Sequence, residues 1–339
     1  MRASAPHEPS SPGGDDTPRS PSTGTRGRRV AAVDCGTNSL RLLIAEQGPG
    51  GELVDLVRRL EIVRLGQGVD ATGELHPDAL RRTFAATETY ARLIRLAGAA
   101  SHIRFVATSA ARDAGNRTEF FDGVQARLGV VPEVISGDTE ARLAFAGALS
   151  RLEVPPGPVL VLDIGGGSTE LVTGEVDGRV HAAVSLDVGS VRLTERFLTS
   201  SPPRPADLQR AAAHVDDQLG RSGIDLTAVT TWIGVAGTVT TLSAVQLGLE
   251  TYDRERVHSS VLTRSELDQL LLRLSDLSVE EIRAIPGMHP QRADVITAGA
   301  LIATRVARHV PVPRLVVSES DILDGIALEL LTRTSEPQS

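Results

Sequence analysis

Residues Val159–Val172 read VLVLDIGGGSTELV. An apolar run ends on Asp163, passes through Gly165, Gly166, Gly167, Ser168 and Thr169, and resumes after Glu170. Apolar run, polar glycine-rich turn and second apolar run together predict a β-hairpin. Glycines let backbone amides approach an anion closely, and the two hydroxyls add donors. A carboxylate at that place would repel phosphate, so Asp163 makes sense there only with a divalent cation between them.

The same pattern stands earlier in the chain. Val33–Glu46 reads VDCGTNSLRLLIAE, and Leu162–Glu175 reads LDIGGGSTELVTGE. Placed together, Asp34 meets Asp163, Gly36 meets Gly165, Ser39 meets Ser168 and Leu42 meets Leu171. A repeated strand-turn-strand unit predicts two similar lobes that face each other across a cleft.

Working outward, Pro77–Gly98 has helical periodicity, with Leu80, Phe84, Thr87, Ala91 and Ile94 on one face. Strands are predicted at Ile103–Ala107, Val131–Ile135 and Thr230–Val235. Helices are predicted at Arg117–Leu128, Thr139–Leu149, Ala206–Leu219 and from about Gln291 to His309. Strands alternating with helices give an α/β class. The strand ending at Val235 leads into a third Gly/Thr turn, GVAGTVTTLSAV, which adds Gly237 and Thr238 to the candidate anion-binding groups. The expected division is a disordered tail over 1–28, an N-terminal lobe over 29–149 and a C-terminal lobe over 150–332. A last helix at about 320–332 packs back on the first lobe in this scheme.

Composition narrows the function. The 339 residues carry a net charge of -8, which argues against an electrostatically driven nucleic-acid binder. No apolar run approaches a membrane span. Arg28-Arg29 is followed by only four apolar residues before Asp34, too few for an export signal. The single cysteine, Cys35, excludes an intrachain disulfide and fits a reducing cytoplasm. Every basic residue is arginine, for the sequence contains no lysine. That excludes a lysine-dependent phosphate loop and a Schiff-base mechanism. Phosphate must be held by amides, hydroxyls, metal and arginine.

With these motifs in place, the chain resembles the exopolyphosphatase/guanosine pentaphosphate phosphatase (Ppx/GppA) family. The resemblance rests on DCGTNSLRLLI, VATSAARDAGN, SGDTEARLAFAGAL and VLDIGGGSTEL, with ESDILDGIALEL near the end. The two hairpin loops and VAGTVTTL resemble the phosphate and adenosine-type loops of the wider actin, sugar-kinase and DnaK-type superfamily. The resemblance implies two ribonuclease-H-like lobes around a central cleft and magnesium-dependent removal of a terminal phosphate. It implies Glu140 as general base on water. Arg112 matches the arginine of the family's TSAxRD segment, and Glu170 the acidic position of its second loop, a catalytic-site residue of the metal shell or its structural support. Gly36, Thr37, Asn38, Ser39 and Arg41 match the first phosphate loop, Gly165–Thr169 the second, and Asp34 and Asp163 the metal-associated positions. Gly137-Asp138-Thr139 departs from members that carry further glutamates before the base. No adjacent His-Asp pair occurs, so the short form without an HD-type domain is expected. Short-chain inorganic polyphosphate is then the expected substrate. Guanosine pentaphosphate is the alternative, and a non-catalytic alarmone-binding regulator or a small-molecule kinase are readings from other classes. A homodimer in the cytoplasm, without nucleic-acid or membrane partners, is compatible with the resemblance.

Residue chemistry weighs these roles. An acid in the first turn of a helix is favoured by the dipole, so Glu140 has an ordinary explanation besides catalysis. Aimed into a cleft of phosphate charge, it is expected to have a raised pKa. Arg41 and Arg112 adjoin candidate anion sites and suit bidentate contact. Cys35–Arg41 also fits the C-x5-R cradle of cysteine phosphatases. Asp34 beside the thiol opposes its ionisation, and the repeat has Ile164 in its place, so a nucleophilic role is not expected. The eight histidines show no zinc spacing. Arg292 and Asp294 follow a Pro/Gly loop and are left without a role.

Overall fold

A computed structural model of the chain describes residues 27–333. Most of the expected tail lies outside the described residues. Arg28, at its end, already accepts a hydrogen bond from the Gln47 amide.

The N-terminal half contains β1 (Arg29–Cys35), β2 (Ser39–Gln47), β3 (Leu53–Ile62), α1 (Val69–Thr72), α2 (Pro77–Ala97), β4 (Ile103–Ala107), α3 (Ser109–Asp113), α4 (Arg117–Leu128), β5 (Glu133–Val134) and α5 (Gly137–Leu149). Its sheet runs β3-β2-β1-β4-β5. The C-terminal half contains β6 (Pro158–Ile164), β7 (Thr169–Glu175), β8 (Val180–Leu186), α6 (Ser190–Phe197), α7 (Pro205–Ser222), β9 (Thr231–Val235), α8 (Ala236–Gln246), α9 (Arg254–Val257), β10 (Val261–Thr263), α10 (Arg264–Ser275), α11 (Val279–Arg283), α12 (Ile296–Ala307), β11 (Arg314–Val317) and α13 (Ile322–Arg333). Its sheet runs β10-β11-β9-β6-β7-β8.

The repeat read from the sequence is a repeat of strand order. β1 pairs antiparallel with β2 and parallel with β4, as β6 does with β7 and β9. Two α/β lobes result. Each hairpin carries a third antiparallel strand, β3 or β8, that the sequence reading missed. β3 lies at a sheet edge and mixes apolar and charged residues on both faces, LVDLVRRLEI, so it lacks clean alternation. The strand expected over Val131–Ile135 shrinks to Glu133–Val134, because Pro132 has no amide to donate to a ladder. The helix expected from Gln291 opens with a separate 3-10 turn, Pro290–Arg292, and α12 begins only at Ile296.

Each lobe has its own core. One joins Leu40, Leu42, Tyr90, Phe105 and Phe120 under the first sheet, and the other surrounds Trp232 in the second. Two helices lie between the sheets. α5 presents Leu143 and Ala144 toward the N-terminal sheet and Ala141, Phe145 and Ala148 toward β6, β7 and β9. α13, the last element among the described residues, returns to cover β1 and β2 with Ile322, Ile326 and Ala327. The two helices cross at Gly147 and Gly325. A Cβ on either would fall inside a backbone carbonyl of the other helix segment, that of Asp321 or Leu143. No helix among the described residues is long and apolar enough to cross a membrane.

Candidate active site

The turn after β1 and the turn after β6 are built alike. The Gly36 amide bonds the Ser39 carbonyl at 3.0 Å, and the Gly165 amide bonds the Ser168 carbonyl at 3.0 Å. Asp34 faces Arg41 directly across its hairpin, and Asp163 faces Glu170 across the other. The first pair is an ion pair, with Arg41 donating to Asp34 Oδ2 at 2.9 Å and 2.6 Å. The second is a pair of like charges, which is unfavourable in a sheet. Its acids respond accordingly. Burial, then the neighbouring Glu140 and Asp163, raise Glu170 well above the usual carboxylate range. Burial pushes Asp163 up to about 7 against the opposing charge of Arg41. Glu170 also accepts from the Ser185 hydroxyl at 2.6 Å.

Both turns open on one cavity of about 460 Å³ between the lobes. Its lining includes Asp34, Gly36, Thr37, Asn38, Ser39 and Arg41 from the first lobe, and Asp163, Gly165, Gly166 and Ser168 from the second. Glu140, Gly237 and Thr238 join them. Four expected residues stand back from the wall. Glu170 and Arg112 act on lining groups from behind it. Gly167 packs against Thr37 and Ser109, leaving no room for a side chain. Thr169 is fully buried and donates its hydroxyl to the Val188 carbonyl at 2.5 Å. The two loops touch each other: Thr37 and Ser109 share a hydrogen bond of 2.8 Å beside Gly167.

Glu140 enters from the first turn of α5, whose Ser136 cap accepts the Thr139 amide. Arg112 holds it, with Nη1 donating to Glu140 Oε2 at 2.8 Å and to the Ile135 carbonyl at 2.9 Å. Burial raises the Glu140 pKa to about 7 against the pull of Arg112, and the Asp34 charge adds to the rise. The direction matches the sequence expectation; burial supplies it without any phosphate. Cys35 is fully buried, and burial together with Asp34 raises its thiol well above the ordinary value.

Sequence reading missed part of the wall. Asp321, between β11 and α13, takes the other arm of Arg41. Burial pulls the Arg41 pKa down, but Asp321, Asp34 and Asp163 outweigh it and raise the net value. Asp321 lies in the quoted ESDILDG segment, where a polar run between apolar strand and helix is the available signal. Arg292 sits on the cavity wall and donates to the Gly237 carbonyl and to Thr241 Oγ1. It forms no ion pair among the described residues, and burial lowers its pKa to about 10. Arg58, Arg59 and Arg254 complete the lining arginines. α8 begins here too, with Ala236 at φ 61° and no side-chain cap, so its first amides face the cavity unclaimed by a cap.

The acids suit a hard cation rather than a soft one. Asp34 Oδ1 is buried without a hydrogen-bond partner. No three His, Cys, Asp or Glu side chains among the described residues form a metal cage. An all-oxygen site with two carboxylates and open positions is the arrangement magnesium accepts, since it keeps water and substrate oxygens as ligands.

A model of the Ppx/GppA phosphatase family matches residues 43–334. The chain belongs to that family. A Mycobacterium tuberculosis protein, Exopolyphosphatase 2, is 46% identical over 316 residues, covering 89% of this chain and 98% of the relative. The crystal structure of the Aquifex aeolicus Ppx/GppA family member matches with a TM-score of 0.77 at 32% identity, over 91% of this chain and 99% of that one. A Cytophaga hutchinsonii exopolyphosphatase matches with a TM-score of 0.82 at 26% identity, over 90% and 98%. Within the Ppx/GppA match lie Glu140, the second loop, Arg292 and Asp321, whereas Asp34 to Arg41 precede its first matched residue. In the structure the first loop lines the same cavity as the second.

Proposed function

We propose that the chain is an exopolyphosphatase that releases terminal orthophosphate from short inorganic polyphosphate by direct attack of water. The observation that carries this reading is Glu140. It is a carboxylate with a pKa near 7, oriented by Arg112, on the wall of a cavity that both phosphate loops share. The names of the Mycobacterium and Cytophaga relatives support polyphosphate as the substrate class.

Loop amides, the first turn of α8, Arg41 and Arg292 surround the phosphate oxygens in this reading. Glu140 takes one proton from water as the new P–O bond forms. The bridging P–O bond breaks, and the shortened chain leaves as a phosphate anion. Asp34 and Asp163 would hold magnesium, which when bound neutralises phosphate charge. Glu170, whose pKa burial and the neighbouring Glu140 and Asp163 raise, lies opposite Asp163 across the hairpin and supports the position of that carboxylate.

Phosphate release without an acceptor, measured on polyphosphates of graded length and on guanosine pentaphosphate, tests the proposal. Fastest turnover on short polyphosphate is expected. Preference for guanosine pentaphosphate would reassign the substrate, and no release from either would remove the hydrolase reading. Asp34→Asn and Asp163→Asn are each expected to raise the magnesium concentration needed for half-maximal rate. Unchanged metal dependence in both would sink the shared-metal assignment.

A further inference from the structure

Arg192 lies outside the cavity lining, yet it ties three parts of the site together. It belongs to α6, whose first amides, those of Ser190 and Val191, bond the carbonyls of Gly165 and Gly166. The Arg192 amide bonds Gly166 as well, and its Nε donates to the Gly167 carbonyl at 2.8 Å. The carbonyl side of the second loop is thereby occupied from behind. The same guanidinium reaches the first lobe. Nη1 donates to Asp70 of α1 at 2.7 Å, and Nη2 to Asp113 of α3 at 2.5 Å.

α3 is a single short element with three contacts that matter. Ser109 at its start meets Thr37 and abuts Gly167. Arg112 in its last turn holds Glu140. Asp113 at its end is gripped by Arg192. The Arg192 side chain is only 12% exposed; its Asp70 partner is 16% exposed and Asp113 38%, so the Asp70 arm is better shielded than a surface ion pair and the Asp113 arm is the more solvated of the two. Asp70 is further held by Arg196, one turn along α6.

The geometry points to Arg192 as a positioning residue that registers the second phosphate loop against α3, and through Arg112 fixes the reach of Glu140. Closure of the two lobes and orientation of the base are then one event, since the residue that clamps the lobes also sets the helix that carries the base's partner. The inference rests on the reading of Glu140 as the base.

Arg192→Gln, Arg192→Lys, Asp113→Asn and the double variant Arg192→Gln/Asp113→Asn test it, with Glu140→Gln run alongside. Arg192→Gln is expected to lower kcat on polyphosphate by about 10²-fold, the scale of a small misplacement at a reacting centre, with KM within a few-fold of the parent. Arg192→Lys keeps the charge but not the fork, and recovers part of the rate. The double variant is no slower than Arg192→Gln, because both changes cut the same link. Hydrogen exchange at residues 109–113 and 165–168 rises together in Arg192→Gln, while the sheet cores stay protected. Parent-like kcat in Arg192→Gln, a loss confined to KM, or losses that multiply in the double variant would each overturn the assignment. If Arg192→Gln does not fold, Asp113→Asn and Arg192→Lys carry the same comparison. A fully active Glu140→Gln removes the base assignment on which the inference rests, and a parent that releases no phosphate refutes the proposed function instead. The exchange pattern then decides the clamp alone, and unchanged exchange in either segment rejects it.

Discussion

Glu140 stands between two opposing demands. Burial favours the neutral acid and Arg112 the carboxylate, and the balance falls near 7, where a general base works best in neutral solution. Glu140→Gln is expected to slow single-turnover phosphate release by about 10²–10⁴-fold and to leave polyphosphate binding, measured by calorimetry, nearly intact. A near-parental rate would take Glu140 out of the mechanism. The same balance affects stability. Between the unfolded value of 4.5 and about 7, the unfolded glutamate releases a proton that the folded one retains. Ionisation therefore works against folding as pH rises, and the favourable contribution, full below 4.5, is lost through about 7. Asp163 adds the same sign from 3.8 to about 7. Glu140→Gln should accordingly gain thermal stability over the parent at about pH 8 and show little gain at about pH 4, as read by melting curves. Cys35 belongs to the same scale. Its raised pKa and full burial remove the thiolate that a cysteine phosphatase needs. Cys35→Ala is expected to stay within a few-fold of parental activity, with no label from terminal phosphate trapped on the protein by quench-flow. Trapped label that disappears with Cys35 would establish covalent chemistry.

At the scale of elements, the repeated hairpin has diverged where it counts. The residue opposite each strand-end aspartate is Arg41 in one lobe and Glu170 in the other. One hairpin therefore offers a neutralised pair and the other an acid pair that needs a proton or a cation. The crossing of α5 and α13 sets how these hairpins face each other, because α5 carries Glu140 and the turn before α13 carries Asp321. Gly147 and Gly325 allow that close crossing, and a methyl group at either would meet opposing backbone that cannot move aside. Gly325→Ala is expected to destabilise the protein by about 1–3 kcal/mol or more, as measured by denaturant titration. An unchanged midpoint would mean that the crossing is looser than its geometry implies.

Across the whole molecule, the lobes exchange support. α13 covers the first sheet, and α5, which ends the first half, packs on the second sheet. Arg192 with Asp70 and Asp113, Arg64 with Asp294, and Arg254 with Asp55 add ion pairs that bridge the two halves. Such interlocking predicts one cooperative transition. Trp232 is the only tryptophan and is buried in the second sheet, so its fluorescence reports that lobe while circular dichroism reports both. The two probes should give coincident denaturation curves. A tryptophan transition separated from the dichroism curve would show lobes that unfold independently.

Local chemistry made much of this protein legible from its sequence. Apolar runs ending on Asp34 and Asp163, with glycines and hydroxyls beyond, define the hairpins because strand propensity and turn chemistry act over a few residues. The helix over Pro77–Ala97 was readable from its periodicity, and in the structure Pro77 stands in its first turn and Gly98 caps its end. Glu140 was singled out through its motif, and Cys35 was set aside through its neighbour. Other features depend on residues far apart in the chain. β3 hid its pairing because an edge strand needs no alternation. Arg292 looked like an ordinary helix-entry charge until α8 placed the Gly237 carbonyl against it, and Asp321 is 280 positions from the Arg41 it pairs with. Even Thr169, one residue from a lining serine, points into the protein, since alternate residues of a strand face opposite sides. Turn, strand and helix signals are local and survive in the sequence. Which carboxylate meets which arginine, and which lobe closes on which loop, is decided by packing between distant segments, and only the tertiary structure contains it.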